Sequence, residues 1–561
     1  MALPTRAHWS LYALVGTLTA AVLAYGVVEQ VFDTNFYVLW EATALLAGDH
    51  PYRDFFQTGW PLLTAVSTLA QWLSGNRLIG EFLVHWVFIV ASIVIAFHMA
   101  VRLSGSPAAS LASVLVAIVI LLGAPTFQFP KMFFYPCAVL AGWWYMERPA
   151  VGRAAVLGAI AGLAFLYRHD HGLYVGVASV LAFALARLIV PASRGWRSAL
   201  REAGAYALTA AVVVAPWAVV VQLNEGLIDY VRTRAAWGET WAPTESPYRS
   251  LVDVNPLRMV PIGGAGFQLP QFETAVEWLF HLTMFVPLFV LAQAAYTVLS
   301  RLRRGEPIAL DSGRCLLAAA LAAFIGERLL RQPSYYQALL PLTAVLGARL
   351  LTEAWRVQPG IRRVLGMAAA VGVFLVTTEA AIASLDRDLF APSERTELGN
   401  VYRQLLASPP IDVYQPAGEA RRLDAAAWTE LDEDDRLKIL IRYMHDCTTG
   451  GDRLFVTGST PYQVGYLAER PIAGGHLQWA HEWRADPAHE AQSLALLERQ
   501  SVPFAVSTHD PVLEDLAAYP RIRDYFARHY VELEGTDGRL LIDTRRRATS
   551  RFGRLGLPCF S

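Results

Sequence analysis

Lysine is almost missing from this chain. Of 47 basic residues, only Lys131 and Lys438 are lysines, a bias of the kind that high-GC bacterial coding produces. Charge is scarce as well: 17% of the 561 residues are Asp, Glu, Lys or Arg, and the formal net charge is -1. A chain with so little net charge carries no bulk field that would draw nucleic acid. There are four cysteines. Cys137 and Cys315 fall in apolar runs. Cys447 and Cys559 fall in a polar region and could pair, although nothing in their spacing demands it, and the cysteines show no metal pattern; the triplet His169-Asp170-His171 could bind a metal, but adjacent side chains rarely point at one ion. No internal repeat is visible, which speaks against the inverted-repeat architecture of many transporters. The first apolar run, 9–28, lacks a small-residue cleavage site in good context, so it reads as a retained span.

Apolar sequence is what the chain has in abundance. It is 54% hydrophobic with a mean hydropathy of +0.34, outside the range of soluble domains of this length. Runs near 20 residues recur. They predict a polytopic α-helical membrane protein with about 11 transmembrane helices, at 9–28, 79–102, 107–124, 131–147, 152–167, 171–190, 202–222, 276–300, 314–330, 335–352 and 363–383. Short loops carrying Arg102, Arg148 and Arg153, Arg187 to Arg201, Arg301 to Arg304, and Arg356 to Arg363 all fall on one side if the first span starts inside. That placement predicts a cytoplasmic N-terminus and an exoplasmic C-terminal region, in a bacterial plasma membrane. The apolar piece 61–73 is too short to span and reads as an interfacial or re-entrant helix.

Two domains follow from the composition. Residues 1–383 form the transmembrane domain, with a first external loop at 29–78. From 384 onward charge rises and short units alternate. The spacing predicts an amphipathic helix at 436–447, strands at 453–457 and 503–507, a helix at 488–500 and a hairpin around Gly535 to Gly538. This is a C-terminal exoplasmic α/β domain. It has no Gly-rich phosphate loop and no nucleophile elbow, so it reads as a structural or acceptor-recognition module.

Candidate chemistry lies in the external loops. The first loop holds Glu29, Asp33, Glu41, Asp49 and Asp54, interleaved with Phe32, Phe36, Tyr37, Trp40, Tyr52, Phe55, Phe56 and Trp60. Acids among rings at a membrane surface suit acid–base work on a sugar. They also suit an ordinary amphipathic loop with aromatics at the headgroup level. Asp33 either deprotonates an acceptor hydroxyl or caps a helix beginning at Thr34. The turn 167–172 places Arg168 to meet a phosphate and Asp170 to meet a sugar hydroxyl, though a simple polar turn would look the same. Glu327, Arg328 and Arg331 with Tyr335 and Tyr336 sit on the external side, against the positive-inside bias. External arginines ask for an anion such as a lipid phosphate, or they snorkel to headgroups. Lys131 is a further candidate for the same phosphate.

These features together resemble the GT-C superfamily of integral membrane glycosyltransferases, in its protein mannosyltransferase and aminoarabinose transferase branch. The resemblance is carried by Asp33 ahead of "ALLAGDHPYRDF", by "RHDHG", and by "RQPSYYQALLP" at the start of a late span. The tail, with "GDRLFVTGSTPYQVGYLAERPIAGG" and "LERQSVPFAV", is similar to the outer domain of many bacterial members. The family's first-loop signature is Asp-Glu, whereas Thr34 and Asn35 follow Asp33 here. The resemblance implies sugar transfer from a polyprenyl-phosphate donor to a glycan, lipid or protein acceptor, with Asp33 as general base. The residues themselves make Arg168, Arg328, Arg331 and Lys131 the candidates for the donor phosphate and Asp170, Tyr335 and Tyr336 those for the sugar, with Asp54 a further substrate-binding candidate. No cofactor is called for; a divalent metal has no supporting ligand spacing. Membrane lipids are further partners, and nucleic acid is not expected. The rivals are a transporter or flippase, a non-catalytic scaffold, and a polymerase or ligase of lipid-linked glycans.

Overall fold

A computed structural model of the protein describes residues 6–26, 33–57, 59–121, 129–189, 195–240, 290–297, 299–301, 303–304, 312–331, 339–356, 402–403, 405–414, 417–431, 433–458, 461–479 and 485–561, with isolated positions between. The expected spans at 276–300, for the most part, and 363–383, and the domain boundary near 384, lie outside the described residues. The chain divides into two compact units. One comprises Met1–Gln30, His85–Pro216 and Trp241–Leu398; the other comprises Val31–Val84, Trp217–Thr240 and Gly399–Ser561. The first-loop segment therefore belongs to the same compact unit as the tail.

The first unit is a helical bundle. Its helices are α1 (Arg6–Tyr25), α4 (Leu78–Ser104, which enters from the other unit), α5 (Pro107–Ile120), α6 (Phe129–Glu147), α7 (Val151–Tyr167), α8 (His169–Ile189), α9 (Trp196–Asn224), α11 (Ser312–Arg331) and α12 (Leu340–Arg356). Helix α8 packs on α6, α7 and α11, and α5 packs on α12. The sequence allows this closeness at one recurring pattern. Gly158 and Gly162 on α7 lie four apart, on one face, against α9. A Cβ on Gly158 would sit 2.2 Å from the Tyr206 carbonyl oxygen, and one on Gly162 2.9 Å from Val213 Cβ. Small residues at this spacing are how helices approach when lipid, not water, is the surrounding solvent.

The outward faces make the same point. On α9, Leu208, Val212, Val219 and Leu223 are all more than half exposed. A row of bare aliphatics over this length would drive association in water, whereas in lipid it costs nothing. Among the described helices, α4 and α9 are long and apolar enough to cross a bilayer. Several of the bundle's ion pairs gather at one end. Arg102 pairs with Glu147 and lies over the Trp143 ring, Arg187 pairs with Glu202 at 2.5 Å, and Arg314 and Arg349 share Glu353. Arg349 also donates to the Leu103 carbonyl. Arg102 and Arg187 are among the arginines of the short loops on the expected cytoplasmic side.

In the second unit, α2 (Asp33–Leu46), α3 (Pro61–Ser74) and α10 (Leu227–Thr240) accompany the tail. The tail holds α13 (Glu433–Asp446), β1 (Leu454–Thr457), α14 (Pro461–Leu467), α15 (Pro487–Arg499), β2 (Phe504–Ser507), α16 (Pro520–His529), β3 (Tyr530–Glu532) and β4 (Leu540–Asp543). The sheet order is β1-β2-β4-β3, parallel between β1 and β2 and antiparallel elsewhere. A small antiparallel pair, β5 (Ser550–Phe552) and β6 (Leu557–Cys559), follows. The β1–β2 crossover through α14 and α15 explains why both strands are uniformly buried rather than alternating. Phe455, Trp479, Leu497, Ala505, Tyr519 and Phe526 form the tail's core on one face. Cys447, at the end of α13, is disulfide-bonded to Cys559 in β6, 112 residues on.

Helix α2 and its loop pack on the tail within this unit. Trp40 is fully buried and its Nε1 donates to the Arg470 carbonyl at 2.9 Å. Tyr37 meets Tyr462 with ring centroids 4.4 Å apart, and Phe36 meets Tyr466 at 5.7 Å. Gly465 is required there, since a Cβ would fall 2.0 Å from Trp40 Cε2. The Arg453 guanidinium grips both oxygens of Asp49, one of them at 2.7 Å. Two expectations change at this level. The stretch 167–172 is not a polar turn: α7 ends at Tyr167 and α8 begins at His169, leaving Arg168 alone between them. Glu327 to Arg331 are not a loop outside a span but the last turns of α11.

Candidate active site

The described cluster of buried charge in the bundle sits at the start of α6 and the α7–α8 junction. Lys131 is the third residue of α6, and Glu147 with Arg102 marks the far end of that helix. Sixteen residues of α-helix separate the two ends by roughly 24 Å. The cluster and the arginine-rich end therefore occupy opposite ends of the bundle.

The α7–α8 link is tight for a reason legible in the residues. Arg168 is extended, with φ -167° and ψ 128°, and its N–H still reaches the Ala164 carbonyl. Gly172 then lets the first turn of α8 fold back on α7: a Cβ there would lie 2.4 Å from Phe165 Cβ. Asp170 in that first turn accepts from the His171 N–H at 3.0 Å and lies where the helix dipole favours a carboxylate. Its oxygens then gather cations. Arg168 Nε lies 3.0 Å from Oδ1, and Lys131 Nζ lies 3.5 Å from Oδ2. The Lys131 side chain is 2% exposed and that of Asp170 is 9%. The Arg168 side chain is part exposed, but taking Lys131 and Asp170 out of water into an apolar bundle is costly, and such groups in membrane helices mark working sites by default.

Rings wall the cluster. Tyr135, one turn along α6 from Lys131, stacks on Phe324 of α11 at 3.9 Å and faces His171. Phe134 and Phe88 both meet Tyr167, and His85 stacks on Phe129 at 4.2 Å. His169 stacks on Phe165, and its Nδ1 lies 3.0 Å from the Phe165 carbonyl. Adjacent histidines on opposite sides of α8 do not converge, and no group of three metal-ligating side chains occurs among the described residues.

Of the residues singled out in the sequence, the structure brings Lys131, Arg168 and Asp170 together. Asp33 opens α2; its side chain lies outside the described residues. So do the side chains of Arg328 and Arg331, on α11, and the whole of Tyr335 and Tyr336. Asp54 belongs to the other unit. Arg53 holds its carboxylate at 2.6 Å and the His50 N–H donates to it. Burial raises its proton affinity, but the Arg53 hydrogen bond and the His50 N–H outweigh that and hold it below the usual carboxylate range. Glu41 and Asp49 are likewise engaged: Thr64 donates to Glu41, and Asp49 meets Arg453. Sequence reasoning missed this use of the loop acids, because their partners lie up to 404 residues away.

No protein-family model and no curated protein matches the chain. Among solved structures it is similar to ArnT from Cupriavidus metallidurans. The crystal structure of that protein bound to undecaprenyl phosphate matches with 14% identity and a TM-score of 0.49, covering 96% of this chain and 98% of that one. Its apo form matches with 13% identity and a TM-score of 0.46, over the same shares.

Proposed function

We propose that the protein is a membrane glycosyltransferase that moves a sugar from a polyprenyl-phosphate donor to an envelope acceptor on the outer face of a bacterial plasma membrane. The observation that carries this reading is the pairing of buried Lys131 and part-exposed Arg168 with buried Asp170, at the bundle end away from the paired arginines. Cations gathered beside a carboxylate suit recognition of a lipid-bound phosphate. Asp170 fixes their geometry, and Arg328 and Arg331 on α11, which packs on α6 and α8, supply further positive charge. Asp33 is the general base in this reading, as the family resemblance implies, taking the acceptor proton while the sugar–phosphate bond breaks. Phosphate is a good leaving group, so direct displacement suffices and no metal step is required. Tyr335 and Tyr336 line the sugar. The Cys447–Cys559 disulfide supports an oxidising, outward compartment for the tail.

The test separates binding from chemistry. Lys131→Ala and Arg168→Ala are expected to weaken binding of undecaprenyl phosphate by about 10- to 100-fold, the worth of a charged hydrogen bond. Asp33→Asn keeps binding but slows transfer by on the order of 10²- to 10⁴-fold. Full donor affinity in both alanine variants would leave these cations as structural partners of Asp170 and remove the basis of the reading.

A further inference from the structure

A shallow, open cleft lies in the tail at the carboxyl end of β2. Ends of parallel strands are where open α/β sheets take ligands, and here β1 and β2 are the parallel pair. The two strand ends lie side by side because Gly458, at φ +98°, lets the chain turn against Thr508.

The lining is chemically specific. Trp428, Arg436, Leu440, Ser507, Thr508 and Arg539 face this space. The Trp428 indole is held by a 3.4 Å hydrogen bond to the Gly535 carbonyl. Ser507 is fixed by donating to Asp515 at 2.7 Å, and Thr457 at the end of β1 donates to the same carboxylate at 2.6 Å. That leaves Asp515 engaged at the strand ends, and Asp435 is engaged by Lys438 at 2.7 Å. Arg436 donates from Nη2 to the Thr429 carbonyl at 3.2 Å. Its Nε is buried and has no acceptor among the described residues. A buried guanidinium donor without an acceptor carries an energetic penalty that a bound anion would remove.

We propose that this cleft binds an anionic sugar, one bearing a phosphate or a carboxylate. The ring packs on the Trp428 indole and Leu440, Ser507 and Thr508 meet its hydroxyls, and Arg436 with Arg539 takes the anion through forked donors. The cleft's assignment as the acceptor-recognition site rests on the transferase reading; the binding itself does not.

The full-length protein in detergent is titrated by calorimetry with glucose 1-phosphate, glucuronate, glucose and inorganic phosphate. Each titration is repeated in a Lys131→Ala background, so that any binding at the donor site is subtracted. Saturable binding of glucose 1-phosphate, of glucuronate, or of both is expected, and the pattern says which anion the site takes. Glucose and inorganic phosphate should each bind at least about tenfold more weakly. Arg436→Gln and Trp428→Ala should each weaken binding by about tenfold or more, with Arg436→Lys in between and an unchanged urea midpoint for the tail. No saturable binding of either anionic sugar overturns the proposal. So does binding unaltered in Arg436→Gln and Trp428→Ala, or inorganic phosphate binding as tightly as the sugars. Normal binding in a protein that transfers no sugar would sink the transferase reading alone; normal transfer without this binding would sink the cleft alone.

Discussion

Breaking the Cys447–Cys559 bond should unfold the tail more readily by several kcal/mol. The bond closes a loop of 112 residues. Chain-entropy reasoning gives an unfolded-state penalty of about 16 cal/mol/K for that length, or about 4.8 kcal/mol at 25 °C. The folded geometry does not depend on the bond alone. The Phe560 N–H donates to the Cys447 carbonyl at 2.9 Å, Tyr443 donates to the Pro558 carbonyl, and Thr549 donates to the Cys559 carbonyl at 3.1 Å. Removing the sulfur link therefore leaves the native contacts in place and acts on the unfolded ensemble. Cys447→Ala with Cys559→Ala in the full-length protein is the perturbation, with reductant on the wild type as a second route. Urea titration read by pulse proteolysis of the tail measures the loss. The expected loss is about 3–5 kcal/mol against a typical domain stability of about 5–15 kcal/mol, with a larger slope as the unfolded chain expands. A loss under about 1 kcal/mol by both routes would refute the loop-closure account.

Three further outcomes can be checked by the same titration. Gly465→Ala forces Trp40 from its buried site and should cost at least about 2 kcal/mol, with part recovered by Trp40→Phe; a neutral Gly465→Ala would mean that α2 does not pack on α14 as described. Arg453→Ala strands the buried Asp49 carboxylate and should cost about 3–5 kcal/mol, whereas adding Asp49→Ala should recover a portion; a double variant no better than the single would deny the pair. The third outcome is a pH optimum in the tail. His445 lies 3.0 Å from Asp446 and 3.3 Å from Glu469, which Asn76 also contacts. Burial alone would lower the His445 pKa, but these two carboxylates raise it above its usual value. Burial likewise opposes ionisation of Asp446, yet His445 and Arg442 hold it at about 2, and Glu469 is lowered by His445 and Asn76. The histidine's contribution is complete below its unfolded pKa near 6.5 and is lost as pH rises through the raised folded value. The carboxylates' contribution is complete above their unfolded values near 4 and is lost as pH falls toward about 2. Stability should therefore peak between about pH 5 and 6.5, and His445→Gln should flatten the upper limb; an unchanged upper limb would refute the assignment.

Helix positions were legible in the sequence wherever a run of apolar residues is its own signal. The runs at 79–102 and 107–124 appear as Leu78–Ser104 and Pro107–Ile120, and the piece too short to span appears as α3, Pro61–Ser74. Strands β1 and β2 were legible because fully buried strands read as short apolar blocks between turn residues. The pair β5 and β6 was not, since three-residue strands carry too little pattern. At the candidate site, Arg168 and Asp170 stood out because polar residues between apolar runs are rare. Their pairing with Lys131 depends on how α6 lies against α8, which spacing does not encode. The rings of the first loop stood out in the sequence, but not that Phe36, Tyr37 and Trp40 meet α14 and the residues after it. An amphipathic face states that it will be covered but not by what.

The second unit also sets an order of events during synthesis. Asp49 waits for Arg453, 404 residues later. At about 5–20 residues per second the ribosome needs roughly 20–80 s to bridge that interval. Through that time Trp40 and the Asp49 carboxylate have neither tail helix nor arginine to cover them, while every helix of the bundle from α4 to α12 is being made. The nascent protein thus carries an uncovered aromatic face for most of its production, and mutations that slow elongation between these segments should raise its demand for chaperones without touching a single native contact.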